Sequence, residues 1–194
     1  FLGILKISIS KKKKSTNEFK NIELRIGYTF NDKKILKEAL THKSLENAPN
    51  YERLEFLGDS LLNIIITEWL YKKYPDYNEG LLSKRRSELV NKVFLANTAC
   101  KIFNQKDIFA GNSMQNNNDK IMMNIFSDVI ESIIGAIFID GGIENTKKFI
   151  YNHLLTNINE STILNKNYKG LLIELCHTLG YNEPKFELIR IETD

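Results

Sequence analysis

Glu52, Glu55 and Asp59 stand at spacings i, i+3 and i+7 in the stretch Tyr51-Glu52-Arg53-Leu54-Glu55-Phe56-Leu57-Gly58-Asp59-Ser60. At about 100° per residue the three carboxylates share one narrow sector of a helix. Leu54, Leu57, Leu61, Ile64 and Ile65 gather roughly opposite. A solvated face would mix signs, because like charges one turn apart repel by roughly 0.2–0.5 kcal/mol. The helix macrodipole accounts for an acid at the first turn, and so for Glu52, but not for Glu55 and Asp59 further in. This face calls for a cation.

A second stretch answers it. Ser127-Asp128-Val129-Ile130-Glu131-Ser132-Ile133-Ile134-Gly135-Ala136-Ile137-Phe138 is a nearly all-apolar helix whose two charges, Asp128 and Glu131, share a face. Gly135 continues that face and leaves room for a metal or another backbone. Buried carboxylates are paired or metal-bound, and this helix carries no Lys or Arg to pair with them. Two acidic faces packed together would repel by ~1–4 kcal/mol per close pair. A hard divalent cation such as Mg²⁺, which favours all-oxygen ligands, removes that cost.

These two motifs resemble the signature stretch and the second acidic motif of ribonuclease III, and the resemblance runs from about Phe19 to about Ile158. Lesser matches are Gly27-Tyr28-Thr29-Phe30, Ala39-Leu40-Thr41-His42-Lys43-Ser44, Glu79-Gly80-Leu81-Leu82-Ser83 and Gly135-Ala136-Ile137-Phe138-Ile139-Asp140-Gly141-Gly142. The resemblance implies a double-strand-specific endoribonuclease that processes rRNA or mRNA precursors in the cytoplasm. Glu55, Asp59, Asp128 and Glu131 would bind Mg²⁺, with Mn²⁺ as a substitute. The metal would activate a water and stabilise the departing 3′ oxygen. Products would carry 5′-phosphate and 3′-hydroxyl ends with short 3′ overhangs. Glu52 and Glu79 match further acidic positions near the site. Phe56 flanks the acidic face, and the resemblance places it in a homodimer interface. The rival from another class is a catalytically inactive ribonuclease III fold that only binds RNA or protein. Such a protein is expected to lose site carboxylates, and this chain keeps all four.

The remaining elements must position those groups. With 194 residues and 42% hydrophobic content, the chain suits one all-α domain with an appendage. Residues 1–16 read as an arm, 17–158 as the catalytic domain, 159–167 as a linker, and 168–194 as a partial α+β segment. Phe19, Ile22 and Ile26 suggest a short helix stopped by Gly27, and Asn31 or Asp32 can cap the next. The signature helix should run to about Lys73, ahead of Pro75. Leu81 to Phe103 reads as one helix burying Leu82, Leu89, Val93, Ala96 and Cys100. Lys84, Arg85, Asn91 and Lys92 lie largely off that side as candidate RNA-phosphate contacts. Residues 111–119 read as a loop, the second acidic helix follows and ends near Gly141-Gly142, and another helix runs from Ile143 to Ile158.

Tyr168 to Leu179 reads as a helix and Phe186 to Glu192 as a strand. This pair resembles the start of the double-stranded-RNA-binding domain that follows the catalytic domain in bacterial ribonuclease III. The chain ends before the rest of that module, so the expectation is a truncated module that binds RNA poorly; it also starts without Met, and an upstream piece is expected.

The net charge of +3 alone predicts no nucleic-acid partner, although Lys11–Lys14 and Lys84-Arg85-Arg86 are local basic clusters. Cys100 and Cys176 fit no metal-ligand spacing and are expected to be buried free thiols in a reducing cytoplasm. His42 reads as a capping or packing residue. The apolar N-terminal run is far short of a membrane span and has its lysines on the wrong side for a signal peptide. No membrane and no small-molecule cofactor are expected.

Overall fold

The computed structural model describes residues 19–111, 119–156, 158 and 168–187. Residues up to 157 form one unit and residues from 158 another, each taken by itself. The expected arm, 1–16, and linker, 159–167, lie outside the described residues.

In the first unit, α1 spans Lys20–Ile26, α2 Lys33–Ala39, α3 Glu52–Lys73, α4 Glu79–Val90, α5 Lys92–Ile102 and α6 Asp119–Ile150. Among the described residues no strand forms. One isolated parallel bridge, Thr41 to Phe109, pins the α2–α3 connection. The fold is all-α, as its periodicities indicate.

The two motif helices, α3 and α6, form the centre. Leu62, Ile65, Ile66 and Leu70 of α3 meet a core with Val129, Ile130, Ile133, Ile134 and Ile137 of α6, all essentially without solvent exposure. Burying each such side chain contributes about 1.5–3 kcal/mol. By length and composition the stretch Lys120–Leu155 could cross a membrane, yet most of its apolar window is buried inside this unit. It is the core helix.

The two helices meet backbone to backbone. A Cβ at Gly58 would overlap the Glu131 carbonyl, and one at Gly135 would overlap the Leu54 carbonyl. Gly58 therefore belongs to the buried face of α3. That face is rotated from expectation: Leu54, Gly58, Leu62 and Ile65 are buried, while Ile64 is 64% exposed. Backbone contact at the crossing, rather than the largest cluster of side chains, sets the rotation.

Caps fix the surrounding pieces. Gly27 closes α1 in the left-handed region at φ 74°. Asp32 caps α2, its carboxylate accepting from Lys34 N at 2.9 Å. Asp140, near the break in α6, accepts from Tyr28 Oη at 2.7 Å, Asn31 N at 2.8 Å and Asp32 N at 2.9 Å. These donors hold Asp140 below the usual carboxylate range despite the opposing effect of its partial burial. The break is Gly142, at φ 76° and ψ −178°, a conformation open to glycine. The chain then continues helically to Ile150 and through a wider π turn at Tyr151–Leu155, with Phe149, Ile150 and Leu154 buried.

Three expectations need correction. The single helix over 81–103 is two, because Asn91 adopts an extended backbone (φ −76°, ψ 154°) and its side chain caps α5 by accepting from Phe94 N at 2.9 Å. The break changes the register, so Val93 is 62% exposed and Cys100 is also exposed; Leu89 and Ala96 are buried as expected. Cys176 is only half-buried, so neither thiol is a core residue.

The second unit contains α7, Tyr168–Thr178. Gly180, at φ 75°, follows it, and Tyr181 N donates to Cys176 O at 2.7 Å to close the helix end. Phe186 and Glu187 carry no strand, and the rest of the expected strand lies outside the described residues.

Gly58→Ala tests the crossing directly. The methyl group must push two backbones apart, which exceeds ordinary overpacking at about 1–3 kcal/mol. A fall in Tm of roughly 10 °C by circular dichroism is expected. A melting curve like that of the unaltered protein would contradict the packing described.

Candidate metal centre

The crossing places the carboxylates. Glu55 precedes Gly58 by one turn on α3, and Glu131 precedes Gly135 by one turn on α6. Each Cα–Cβ bond tilts toward its helix N-terminus, so both side chains lean out of the crossing. Asp128 lies a further turn back on α6. One carboxylate oxygen from each of Glu55, Asp128 and Glu131 lies within 4.8 Å of the others, and all three residues are half-buried.

Asp59 stands apart from this trio. It is exposed, and its Oδ1 accepts from Asn63 Nδ2 at 2.9 Å. Its charge still reaches the cluster. Glu131 is pushed up to about 8, first by burial, then by Asp59, Glu55 and Asp128 in that order. Burial likewise raises Glu55 and Asp128. Among the described residues no hydrogen-bond donor is aimed at the Glu131 carboxylate. A cluster of oxygen ligands, penalised by burial and mutual repulsion, fits a hard divalent cation.

Two further groups complete the surroundings. Tyr51, buried just ahead of α3, donates its hydroxyl to Asp128 Oδ2 at 3.3 Å. Its own backbone N–H donates to Thr41 O at 3.0 Å, so the pinned connection fixes the ring. Burial, with the neighbouring carboxylates, raises the Tyr51 pKa and keeps the phenol protonated. The spacing of Tyr51 and Glu55, one turn apart, was the available signal for this role. Lys92 of α5 lies 3.9 Å from Asp128 Oδ1. The apolar context of α6 suggested acids without a basic partner; a cation from another helix supplies one, at the edge.

The other sequence-selected residues scatter. Glu52 pairs with Lys43 at 3.3 Å on the surface. Glu79 opens α4 and accepts from Ser83 Oγ at 2.7 Å, outside the trio. His42 is buried; its Nδ1 accepts from Ser44 N at 3.0 Å, and burial lowers its pKa, so it is a neutral packing residue against Tyr51. Phe56 is 78% exposed beside a groove of about 640 Å³ lined by Ile35, Leu54, Leu57 and Ile139 among others. Arg85 is tied to Glu88 and its side chain is only 14% exposed, while Asn91 is used as a cap. Lys84 is half-buried.

The raised Glu131 carboxyl has a pH consequence. In the unfolded chain it loses its proton near its ordinary value of 4.5, but in the folded chain only near 8. Its contribution to stability without metal is therefore whole below pH 4.5, falls as pH rises, and levels off above about 8. Glu55 and Asp128 act in the same direction, whereas His42 acts oppositely in the acidic part of the range. Comparing melts with Glu131→Gln in EDTA isolates the effect. The variant's stability relative to the unaltered protein should improve steadily from pH 5 to pH 8, and a constant difference would refute the assignment.

Residues 32–158 match the family model described as Ribonuclease-III-like. Ribonuclease 3 of Campylobacter fetus is 37% identical over 175 residues, covering 89% of this chain and 78% of the relative. Ribonuclease 3 of Sulfurovum is 38% identical over 176 residues, with the same two coverages. Among solved structures, the nuclease domain of ribonuclease III from Campylobacter jejuni, described with a flexible region involved in dimer formation, superposes with a TM-score of 0.69 at 38% identity. That match covers 72% of this chain and 98% of the domain. Dicer from Pichia stipitis matches at a TM-score of 0.53 and 26% identity, over 75% of this chain and 68% of its own. With its carboxylates gathered at the crossing of the two motif helices, the chain belongs to the ribonuclease III family of endoribonucleases.

Proposed function

We propose that this protein is a Mg²⁺-dependent, double-strand-specific endoribonuclease that hydrolyses phosphodiesters of duplex RNA, in the cytoplasm, to 5′-phosphate and 3′-hydroxyl ends. The observation that carries this reading is the meeting of Glu55, Asp128 and Glu131 within 4.8 Å. When bound, the divalent ion supplies Lewis-acid polarisation of the phosphodiester and a nucleophilic water at neutral pH. Mn²⁺, with similar oxygen preference, is the expected substitute.

The protein's own groups do the rest. Glu55, Asp128 and Glu131 hold the ion, and Asp59 adds negative charge at the mouth. Tyr51 keeps the Asp128 carboxylate turned into the cluster. Glu131 would have to be deprotonated to hold the ion, so loading would be favoured as pH rises toward 8. Duplex RNA is read by A-form shape, 2′-hydroxyls and phosphates, which leaves base sequence largely unread. Of the four candidate RNA contacts, Lys92 alone combines an exposed side chain with a place at the cluster. Lys84, Arg85 and Asn91 are at most peripheral contributors. Residues 168–194 are proposed as the start of a double-stranded-RNA-binding domain.

A homodimer is the proposed assembly. Phe56, Ile64 and Tyr71 are exposed along α3, and Ile139 is exposed beside the groove next to Phe56. A row of large apolar groups along one helix is a surface in want of a partner. The second reading, an inactive binding subunit, has no support from a site that keeps its acids.

Two experiments test these points. Glu131→Gln preserves shape but removes a ligand charge, and single-turnover cleavage of a long RNA duplex in Mg²⁺ should fall by about 10²-fold or more. Duplex affinity should be retained, and near-normal cleavage would remove Glu131 from the site. Light scattering should give about twice 22.5 kDa, with Phe56→Ala shifting the population toward monomer. A monomer that still cuts both strands would rule out the dimer.

A further inference from the structure

Lys92 is an odd residue for its position. It opens α5, where the unsatisfied N–H groups carry partial positive charge and an acid is the favourable choice. No acid occupies that first turn, and the cap comes from Asn91. The lysine ammonium instead lies 3.9 Å from Asp128 Oδ1 with its side chain 72% exposed. Its charge counters the effect of burial on Glu55, Asp128 and Glu131 alike. The other lysine near the site, Lys43, is paired with Glu52 on the surface.

The two oxygens of Asp128 thus have contrasting partners. Oδ2 faces the phenol of Tyr51, a buried ring whose backbone is tied to Thr41. Oδ1 faces an ammonium on a long, flexible stem that is mostly exposed to solvent. One partner is fixed and the other is exchangeable.

We propose that Lys92 is a positioning residue that acts as the exchangeable counter-cation of the carboxylate cluster, standing in for the divalent ion in the metal-free protein and turning outward when that ion binds. The proposal rests on the metal-site reading of the trio. It has two linked consequences. In the metal-free protein the ammonium offsets repulsion among the three acids, and removing it loosens the α3–α6 junction. For the incoming ion the same ammonium is a like charge to be displaced, so it weakens metal binding.

The test uses the full chain without RNA. Mg²⁺ is titrated calorimetrically into the unaltered protein, Lys92→Met and Lys92→Arg, and each is also melted in EDTA and in saturating Mg²⁺. Lys92→Met should bind Mg²⁺ roughly three- to tenfold more tightly. It should melt below the unaltered protein in EDTA, with the gap closing in Mg²⁺. Lys92→Arg, which retains the charge, should follow the unaltered protein in both measurements. A merely structural lysine would leave Mg²⁺ affinity unchanged. Equal or weaker Mg²⁺ binding by Lys92→Met, or a melting gap indifferent to Mg²⁺, overturns the role of Lys92 while leaving the metal site intact. If the unaltered protein binds no Mg²⁺, the metal-site reading falls and this proposal with it.

Discussion

The contact between the α3 and α6 backbones at Gly58 and Gly135 is the constraint on which the site depends. Helix axes normally lie 8–10 Å apart, held off by side chains at the contact. Here each glycine faces main-chain atoms of the opposite helix, and a methyl group at either position would overlap a carbonyl oxygen. The acids one turn away on both helices are therefore brought within ligand distance without reaching across a gap. A wider crossing would spread Glu55 and Glu131 beyond the span of one ion. Glycine costs a helix interior about 1 kcal/mol relative to alanine, and here that cost is exchanged for position.

Two carboxylates on α6 show what the local environment decides. Asp140 accepts from two backbone N–H groups and a phenol, and its pKa falls below the usual range. Glu131, nine residues earlier, sits among other acids and is pushed up to about 8. The chemistry of the residue is nearly the same; the supply of donors differs. Asp140 is a completed structural joint, tying the end of the core helix to the start of α2. Glu131 has no such set of donors among the described residues, and its electrostatic demand is left unmet, which is what makes it a candidate to hold a divalent ion.

Much of this was legible in the residues, for identifiable reasons. Acids recurring on one face of α3, and two acids alone in an apolar α6, announce themselves because helix period maps spacing onto direction. The helix start at Asp32 and the breaks at Gly27 and Gly142 follow from local backbone chemistry. The break at Asn91 was hidden because the apolar period runs through it, and asparagine is compatible with either a helix or a cap. Gly58 looked like any glycine in an apolar helix, since its meaning lies in a backbone distant in sequence. The contacts of Tyr51 and of Lys92, which was named only as a phosphate contact, with Asp128 stayed hidden for the same reason: each forms only after the chain has folded. Asp59 was grouped correctly by face, but its extra turn along α3 and the pull of Asn63 leave it outside the trio.

The break at Asn91 and the sequence of α3 also set the surroundings of the carboxylate cluster. Because α4 ends at Val90, α5 begins a new helix there, and its first residue can reach Asp128; a helix running on from α4 would direct that side chain elsewhere. On α3, Glu55 and Phe56 are consecutive, about 100° apart around the axis. Glu55 turns into the carboxylate cluster, and Phe56 turns into solvent beside the groove. Any partner that covers Phe56 must therefore stand against the flank of the cluster. Its approach would remove water from that side and strengthen every electrostatic interaction of the clustered acids. Because Glu55 and Phe56 stand on adjacent positions, the helix cannot rotate to move one without displacing the other, so the glycine crossing that fixes α3 fixes both.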